Sequence, residues 1–474
     1  MKIEFFIFAS ETLRNNTLDM KRLLPIFLLI VGLTISLKAQ WTSPGNGTTY
    51  TLPDLVNVTD GVVTNSGTVF SINADLTISE RDVLKIDNQV ARIDAPGVLL
   101  TINGSMTCTN TDRVKLYGAE DAPFKMRFEN ATDCLIKKMY FSDGAGIKLI
   151  ESDVTFNDVK FVYFTRDYCN AVIDIFNCNP EINNCYFMLN QGAAVSSPAN
   201  GQASPKILNC QLDTNVDGIN SPQINLGPGG EDTIYIVGND IYTLYASWYV
   251  GGVSVADLTG VGSTKVLLKD NIIREGRYGY NQQGQTISSL IIGNQFINNN
   301  HEDNPMNGGS GISIYGYSTN NKAVLRNNII TGNLWGITAI YFHDIDMGTE
   351  DEWGHNEIHD NGNGGIIYDL YNNSTCDLMA VGNDWGTTEV RLIEDHIFHQ
   401  HDDPSLGLVT FVPYVGGEDE LDEFVIDLQQ FDPSTMKLYS ITGQRVSNKP
   451  LKPGIYIAVV KHDSQTIAKK IIIQ

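Results

Sequence analysis

The residues best placed to do chemistry are acids that recur at one position of a short repeated pattern. Glu357 and Asp384 each follow an asparagine, Asn356 and Asn383, 27 residues apart. If copies of the pattern stack, the two carboxylates lie ~5 Å from each other, the separation used by retaining glycosidases. His359 follows two residues along the same face. A second grouping, Asp240, Asp270, Arg274, Glu275 and Arg277, sets cations among carboxylates, a lyase-like combination. A third lies in the insertion His343 to Glu352, where Asp344, Asp346 and Glu350 offer the oxygen donors that calcium takes, though not at EF-hand spacing. Each grouping has a plainer reading. With 55 acidic residues in the chain, surface carboxylates align by chance, and the insertion reads as a solvated acidic loop.

Aromatic residues offer binding instead of bond-breaking. Tyr315, Tyr317, Trp335, Tyr341, Tyr368 and Tyr371 could form a strip for stacking sugar rings, with some of them also serving the core.

The element that must position these residues is the repeat itself. Its shared form is a β-rich run, a small polar marker, any residue, then a large apolar one. The markers are Cys185, Cys210, Asn239, Asn271, Asn294, Asn328, Asn356 and Asn383, with weaker copies at Met139 and Val159. Neighbouring markers are 20 to 34 residues apart, a period that means an array or solenoid. Each copy alternates as a strand does, with no helical stretch between copies, so the expected fold is a parallel β-helix with one coil per period. The marker column is then a ladder of amide hydrogen bonds, and its asparagines are also suited to left-handed turns. Phe187, Leu212, Ile241, Ile273, Phe296, Ile330, Ile358 and Trp385, two positions on, form the inward stack. A β-sandwich would alternate too, but would not keep one asparagine column through six periods.

The pattern resembles the right-handed parallel β-helix of the pectate-lyase-like superfamily over roughly residues 135–415. The most specific stretches are Gly382-Asn383-Asp384-Trp385-Gly386-Thr387-Thr388 and Asp402-Asp403-Pro404-Ser405-Leu406-Gly407-Leu408-Val409-Thr410-Phe411-Val412-Pro413, which look like a closing coil and its cap. That resemblance assigns His396, His399, His401, Asp402 and Asp403 to capping, although they could pass for metal ligands. It also implies polysaccharide lyases or hydrolases working on an outer face. The clustered aspartates and Gly-His-Gly of the hydrolases are absent, since Gly354-His355-Asn356 matches only half.

The ends of the chain read as addresses. Met20-Lys21-Arg22, the apolar run Leu23 to Leu37 and Ala39 form a signal peptide cut after Ala39, with Met20 as the expected start and residues 1–39 absent from the mature chain. The run is short of the ~20 residues a span needs, so the mature chain is expected to be exported without a transmembrane segment. Residues 40–134 read as an N-terminal cap and first coils, and 416–424 as a Gly-rich acidic linker. Residues 425–474 resemble the C-terminal sorting domain of the type IX secretion system of Bacteroidetes. The likeness is carried by Met436 to Val446, Leu451 to Val460 and Ile467 to Gln474, with turns at Thr442-Gly443 and Pro453-Gly454. It implies a small β-sandwich-like domain, partners in the secretion machinery and its C-terminal signal peptidase, and an outer-surface destination.

Net charge is −23, from 32 Lys and Arg against 55 Asp and Glu, which disfavours nucleic acid and also polyanions unless calcium bridges them. Seven cysteines are few for a disulfide framework. Cys185 with Cys210, and Cys108 with Cys134, are spaced one coil apart and could be bridged or stacked as buried thiols, the thiol stack being favoured. The expectation is therefore an all-β, exported cell-surface protein, non-catalytic, binding polysaccharide or host glycan or building the surface. It needs no cofactor, calcium apart. The alternative is a polysaccharide lyase or glycosidase acting in a groove on the helix face.

Overall fold

The computed structural model describes residues 40–417, apart from 217–219, 244–248, 261, 303–308, 317–319, 342–343 and 363–367. Beyond 417 it describes 437–440, 445–446, 454–462 and 465–473. Two compact units divide the chain, Met1–Val415 and Gly416–Gln474.

The first unit is a right-handed parallel β-helix. Among the described residues, three sheets of 14, 13 and 14 strands run its length, and every coil between the two ends gives one strand to each sheet. Pairing is parallel throughout, except where Val63–Ser66 folds back antiparallel on Val69–Ile72 near the start. The second sheet contains the strand that follows each marker. Its register runs Phe141, Phe161, Phe187, Leu212, Ile241, Ile273, Phe296, Ile330 and Ile358, one per coil, as the repeat demands. Phe161 stacks face to face on Phe141 at 5.5 Å and on Phe187 at 4.7 Å. The helix Leu52–Val58, with the Thr51/Asp54 capping box, buries Leu52 and Leu55 against the open end.

The marker asparagines form a continuous ladder. Each Oδ1 accepts both the backbone N–H and the side-chain amide of the asparagine one coil earlier, at 2.8–3.0 Å from Asn239 to Asn383. The second amide hydrogen goes to a carbonyl of the preceding coil, as Asn271 donates to Ile236 O at 2.8 Å. Cys185 and Cys210 continue the column with free thiols, and Cys210 Sγ accepts the Cys185 N–H at 3.4 Å. The other cysteine pair is offset. Cys108 is registered with Ile136 and not Cys134, and both thiols are free.

The left-handed turn falls one residue before the marker, not on it. Lys138, Asp158, Asn184, Asn209, Gly238, Asp270, Gly293, Asn327, His355 and Gly382 all have φ between 50° and 71°. A second ladder lies five residues after the markers, where Asn299, Asn333 and Asn361 end on the Asp369 carboxylate. Both ladders tie the corners of the coil, which leaves the sheet faces free for other side chains.

In the second unit, Lys437–Ser440, Arg445–Val446, Gly454–His462 and Gln465–Ile473 form one four-stranded antiparallel sheet. The strands flank the two turns read from the sequence. Among the described residues this sheet has no second layer of strands, so the expected sandwich is not shown.

Candidate functional site

The outer face of the first sheet forms the candidate site. Its strands Gly251–Asp257, Tyr280–Gly284, Ser310–Gly316, Trp335–Ile340 and Leu370–Asn373 pair in that order. Apolar residues such as Ile312, Ile337 and Leu370 point inward, so alternation sends the polar residues out. One outward row is Ser254, Asn281, Ser313, Thr338 and Tyr371, and the row beside it is Ala256, Gln283, Tyr315, Ile340 and Asn373. Successive members stand one rung apart, ~4.8 Å.

These rows floor a groove of about 440 Å³ walled by Arg277, Tyr278, Trp335 and Tyr371. Tyr278 leans across Gly251, where any Cβ would meet its ring at 2.2 Å, so only glycine admits this wall. Trp335 meets Tyr371 edge to face at 4.9 Å and Tyr368 at 5.6 Å, and Phe398 closes against both tyrosines. Arg277 is nearly sealed, with its Nη1 donating to Asn220 at 2.7 Å and its Nε 3.8 Å from Glu302. Burial raises the Tyr278 hydroxyl, and burial followed by Tyr368 and Asp403 raises that of Tyr371, so both stay protonated donors near neutrality. The groove therefore presents amides, hydroxyls and aromatic surface, all suited to sugar hydroxyls and ring faces.

Of the aromatic strip expected from sequence, Tyr315, Trp335 and Tyr371 line this groove, while Tyr368 packs behind them. Tyr341 meets Tyr315 edge to face at 5.0 Å on the exposed side. Tyr317 and His343 lie outside the described residues.

The carboxylate pair is on a different sheet. Glu357 and Asp384 are registered one rung apart, as the spacing required, at the end of the second sheet. Asp384 Oδ1 accepts the Gly386 N–H at 2.9 Å, and His359 bonds Asp360 at 2.8 Å. The arginine grouping divides at a corner. Arg274 stays on the second sheet, 3.0 Å from Asp240 and over the Tyr242 ring, while Arg277 turns into the groove. Asp270 and Glu275 occupy left-handed turn positions.

The expected calcium donors do not converge. Asp344 pairs with Lys322 at 3.1 Å, Asp346 with Arg326 at 2.8 Å, and Glu350 stands exposed. Among the described residues, the set whose ligand atoms lie close enough for a metal is Glu394, His399 and His401. There the Val409 N–H donates to His399 Nδ1 at 2.8 Å, so the neutral ring carries its proton on Nε2, facing Glu394 Oε1 at 2.8 Å. A metal needs that nitrogen's lone pair, so the set reads as a capping network. Asp402 adds to it by accepting the His399 N–H, and His396 bonds Asp369.

Sequence reasoning missed one cluster on the same face as the groove. Arg127, Lys148, Asp174 and Ser196 succeed one another on adjacent rungs. Arg127 pairs with Glu129 at 2.8 Å, Lys148 Nζ lies 4.4 Å from the Tyr168 ring centre, and Ser196 donates to Asp174 at 3.0 Å. Burial raises the Asp174 carboxyl, against the opposing pull of Ser196 and Lys148. Arg127, Lys148 and Asp174 precede the clear copies of the repeat, and all four residues sit on a sheet the marker does not report, so no spacing singled them out.

A family model described as a protein of unknown function (DUF1565) matches residues 277–390, which include most of the groove. No curated protein matches this sequence. Among solved structures, the chain is similar to a point mutant of the periplasmic alginate epimerase AlgG at 11% identity, covering 77% of this chain and 83% of that one with a TM-score of 0.44. The unmutated AlgG gives 12% identity over the same shares and a TM-score of 0.32. At this distance no residue role transfers between the chains.

Proposed function

We propose that this is an exported cell-surface β-helix protein that binds a glycan in the first-sheet groove without cleaving it. The observation that carries the reading is the pair of registered rows, Ser254 to Tyr371 and Gln283 to Asn373, beside aromatic walls. A polymer whose hydroxyls recur along its length can meet equivalent donors and acceptors on successive rungs. The groove's ionisable side chains are tyrosines and a sealed arginine, which supports binding over acid–base chemistry. Export rests on the leader ending at Ala39 and on the tail, whose likeness to type IX sorting domains implies transport to the outer surface and removal by the C-terminal signal peptidase. A glycan array probed with the full chain tests the binding half, with no glycan retained as the failing result. Surface display that persists after deletion of residues 437–474 refutes the export half.

An enzymatic reading is favoured by one observation, the Asp174–Lys148 pair beside Tyr168 on the open sheet face. A polysaccharide lyase or glycosidase built there needs Asp174 for proton transfer. Product release from a polysaccharide panel that disappears in Asp174→Asn favours it, and no release from any polymer rejects it.

A further inference from the structure

The chemistry of the groove narrows the class of glycan. We infer that the groove takes an uncharged polysaccharide, a polymer of neutral sugar units lying along the helix axis across three to four rungs, and excludes polyuronates. This rests on the glycan-binding reading and says which glycans satisfy it.

A polyuronate carries one carboxylate per sugar and needs cations or bridging metal at a matching interval. Along the two floor rows the side chains are Ser254, Asn281, Ser313, Thr338 and Tyr371, then Gln283, Tyr315 and Asn373, none of them cationic. Arg277, the cation of the wall, is 12% exposed and already engaged by Glu302 and Asn220. The charge behind it is negative, from Glu302. Among the described residues no three acidic or imidazole ligands converge on the groove to hold a bridging calcium. At longer range the −23 charge of the chain repels a polyanion.

Cations do stack on this sheet, at Arg127 and Lys148, but far from the groove. Counting the paired rungs from Lys148 through Asp174, Ser196, Asn225 and Ser254 to Asn281 gives five steps, ~24 Å. Both cations there already face Glu129, Tyr168 or Asp174. For a neutral polymer the same groove is well provided: the amides of Asn281, Gln283 and Asn373 stand at its two ends, hydroxyls of Ser313, Tyr315 and Thr338 lie on the rungs between, and Trp335 and Tyr371 supply the aromatic surface.

The direction along the axis follows from the rows. Equivalent groups repeat across the strands every ~4.8 Å, whereas along one strand the side chains alternate between outside and core. A polymer aligned with a strand would meet two or three outward groups, and one lying across the strands meets a new pair at each rung.

The test is binding of the full chain to two sets of soluble oligosaccharides, neutral ones (gluco-, manno-, xylo- and arabino-oligomers) and polyuronate fragments (alginate and pectate), with and without calcium. The expected result is binding to at least one neutral oligomer, with an affinity that changes less than about twofold as added salt screens surface charge. Asn281→Ala weakens that binding about tenfold while the thermal unfolding midpoint stays put. Binding of polyuronate in preference, falling steeply with salt or requiring calcium, overturns the neutral-glycan inference and leaves glycan binding standing. Binding of neither set overturns both.

Discussion

The side-chain oxygen of Asn271 accepts two hydrogen bonds from Asn239, one from its backbone N–H and one from its side-chain amide, both at 2.9 Å. That doubled contact, repeated coil by coil, fixes where every outward side chain falls. Both residues are buried, so water cannot replace a missing partner.

Asn271→Ala therefore leaves two buried donors of Asn239 without an acceptor. At ~1–3 kcal/mol for each, the expected loss is roughly 2–6 kcal/mol of unfolding free energy, read by denaturant titration. Exposed Asn65→Ala is the control and should shift stability by less than about 0.5 kcal/mol. Equal effects at the two sites contradict the ladder.

The turn before each marker makes a different demand. Asn327 has φ of 55°, where glycine is unstrained and a β-branched residue is not. Asn327→Gly is expected to change stability little, and Asn327→Val to cost about 1–2 kcal/mol. Gly382 is stricter, because a Cβ there meets the Trp353 ring at 2.2 Å. Gly382→Ala should be worse than any substitution that keeps glycine at the other turns, as judged by thermal unfolding.

Asp369 closes the second ladder as a buried carboxylate. Burial raises its pKa, and the bonds from Asn361 and His396 offset that only in part. A folded value above the unfolded one means its contribution is fully present below pH ~3.8 and is lost as pH rises through the folded value. Asn in its place keeps the oxygen that accepts both Asn361 bonds, without the charge. Asp369→Asn should raise the unfolding midpoint by about 2–4 °C at pH 7 and leave it unchanged or lower at pH 3.5. A uniform shift at both pH values contradicts the assignment.

The Glu394, His399 and His401 set is expected to ignore metals. Because His399 spends its Nδ1 lone pair on the Val409 N–H, zinc or EDTA should move the unfolding midpoint by less than about 1 °C. A zinc-dependent rise shows that the ring can rearrange to bind.

The coil was legible from the sequence because it is periodic. Asn239 to Asn383 and the inward residues two positions on announce their own stacking, and Glu357 and Asp384 do stand on adjacent rungs. The turn position was misplaced by one residue, since Asn, Asp and Gly tolerate left-handed angles equally well on either side of the marker. The groove was only half visible. Tyr315, Trp335 and Tyr371 were named as aromatics, but Asn281, Ser313 and Thr338 belong to strands whose distance from the marker varies with loop length. Arg274 and Arg277 are three residues apart in sequence, but Arg274 ends a strand of the second sheet while Arg277 sits in the bend beyond it, at the groove wall. Cys108 and Cys134 show the converse failure: a separation of 26 looked like one coil, and the register is two residues off.

The central claim is that glycan lies on the first sheet, along the rows ending at Tyr371 and Asn373. Hydroxyl-radical footprinting of the full chain, with and without the oligosaccharide that binds best, tests it directly. The account predicts protection of Tyr315 and Tyr371, with His359 on the second sheet unchanged. Protection centred on His359, or none at Tyr315 and Tyr371, contradicts it.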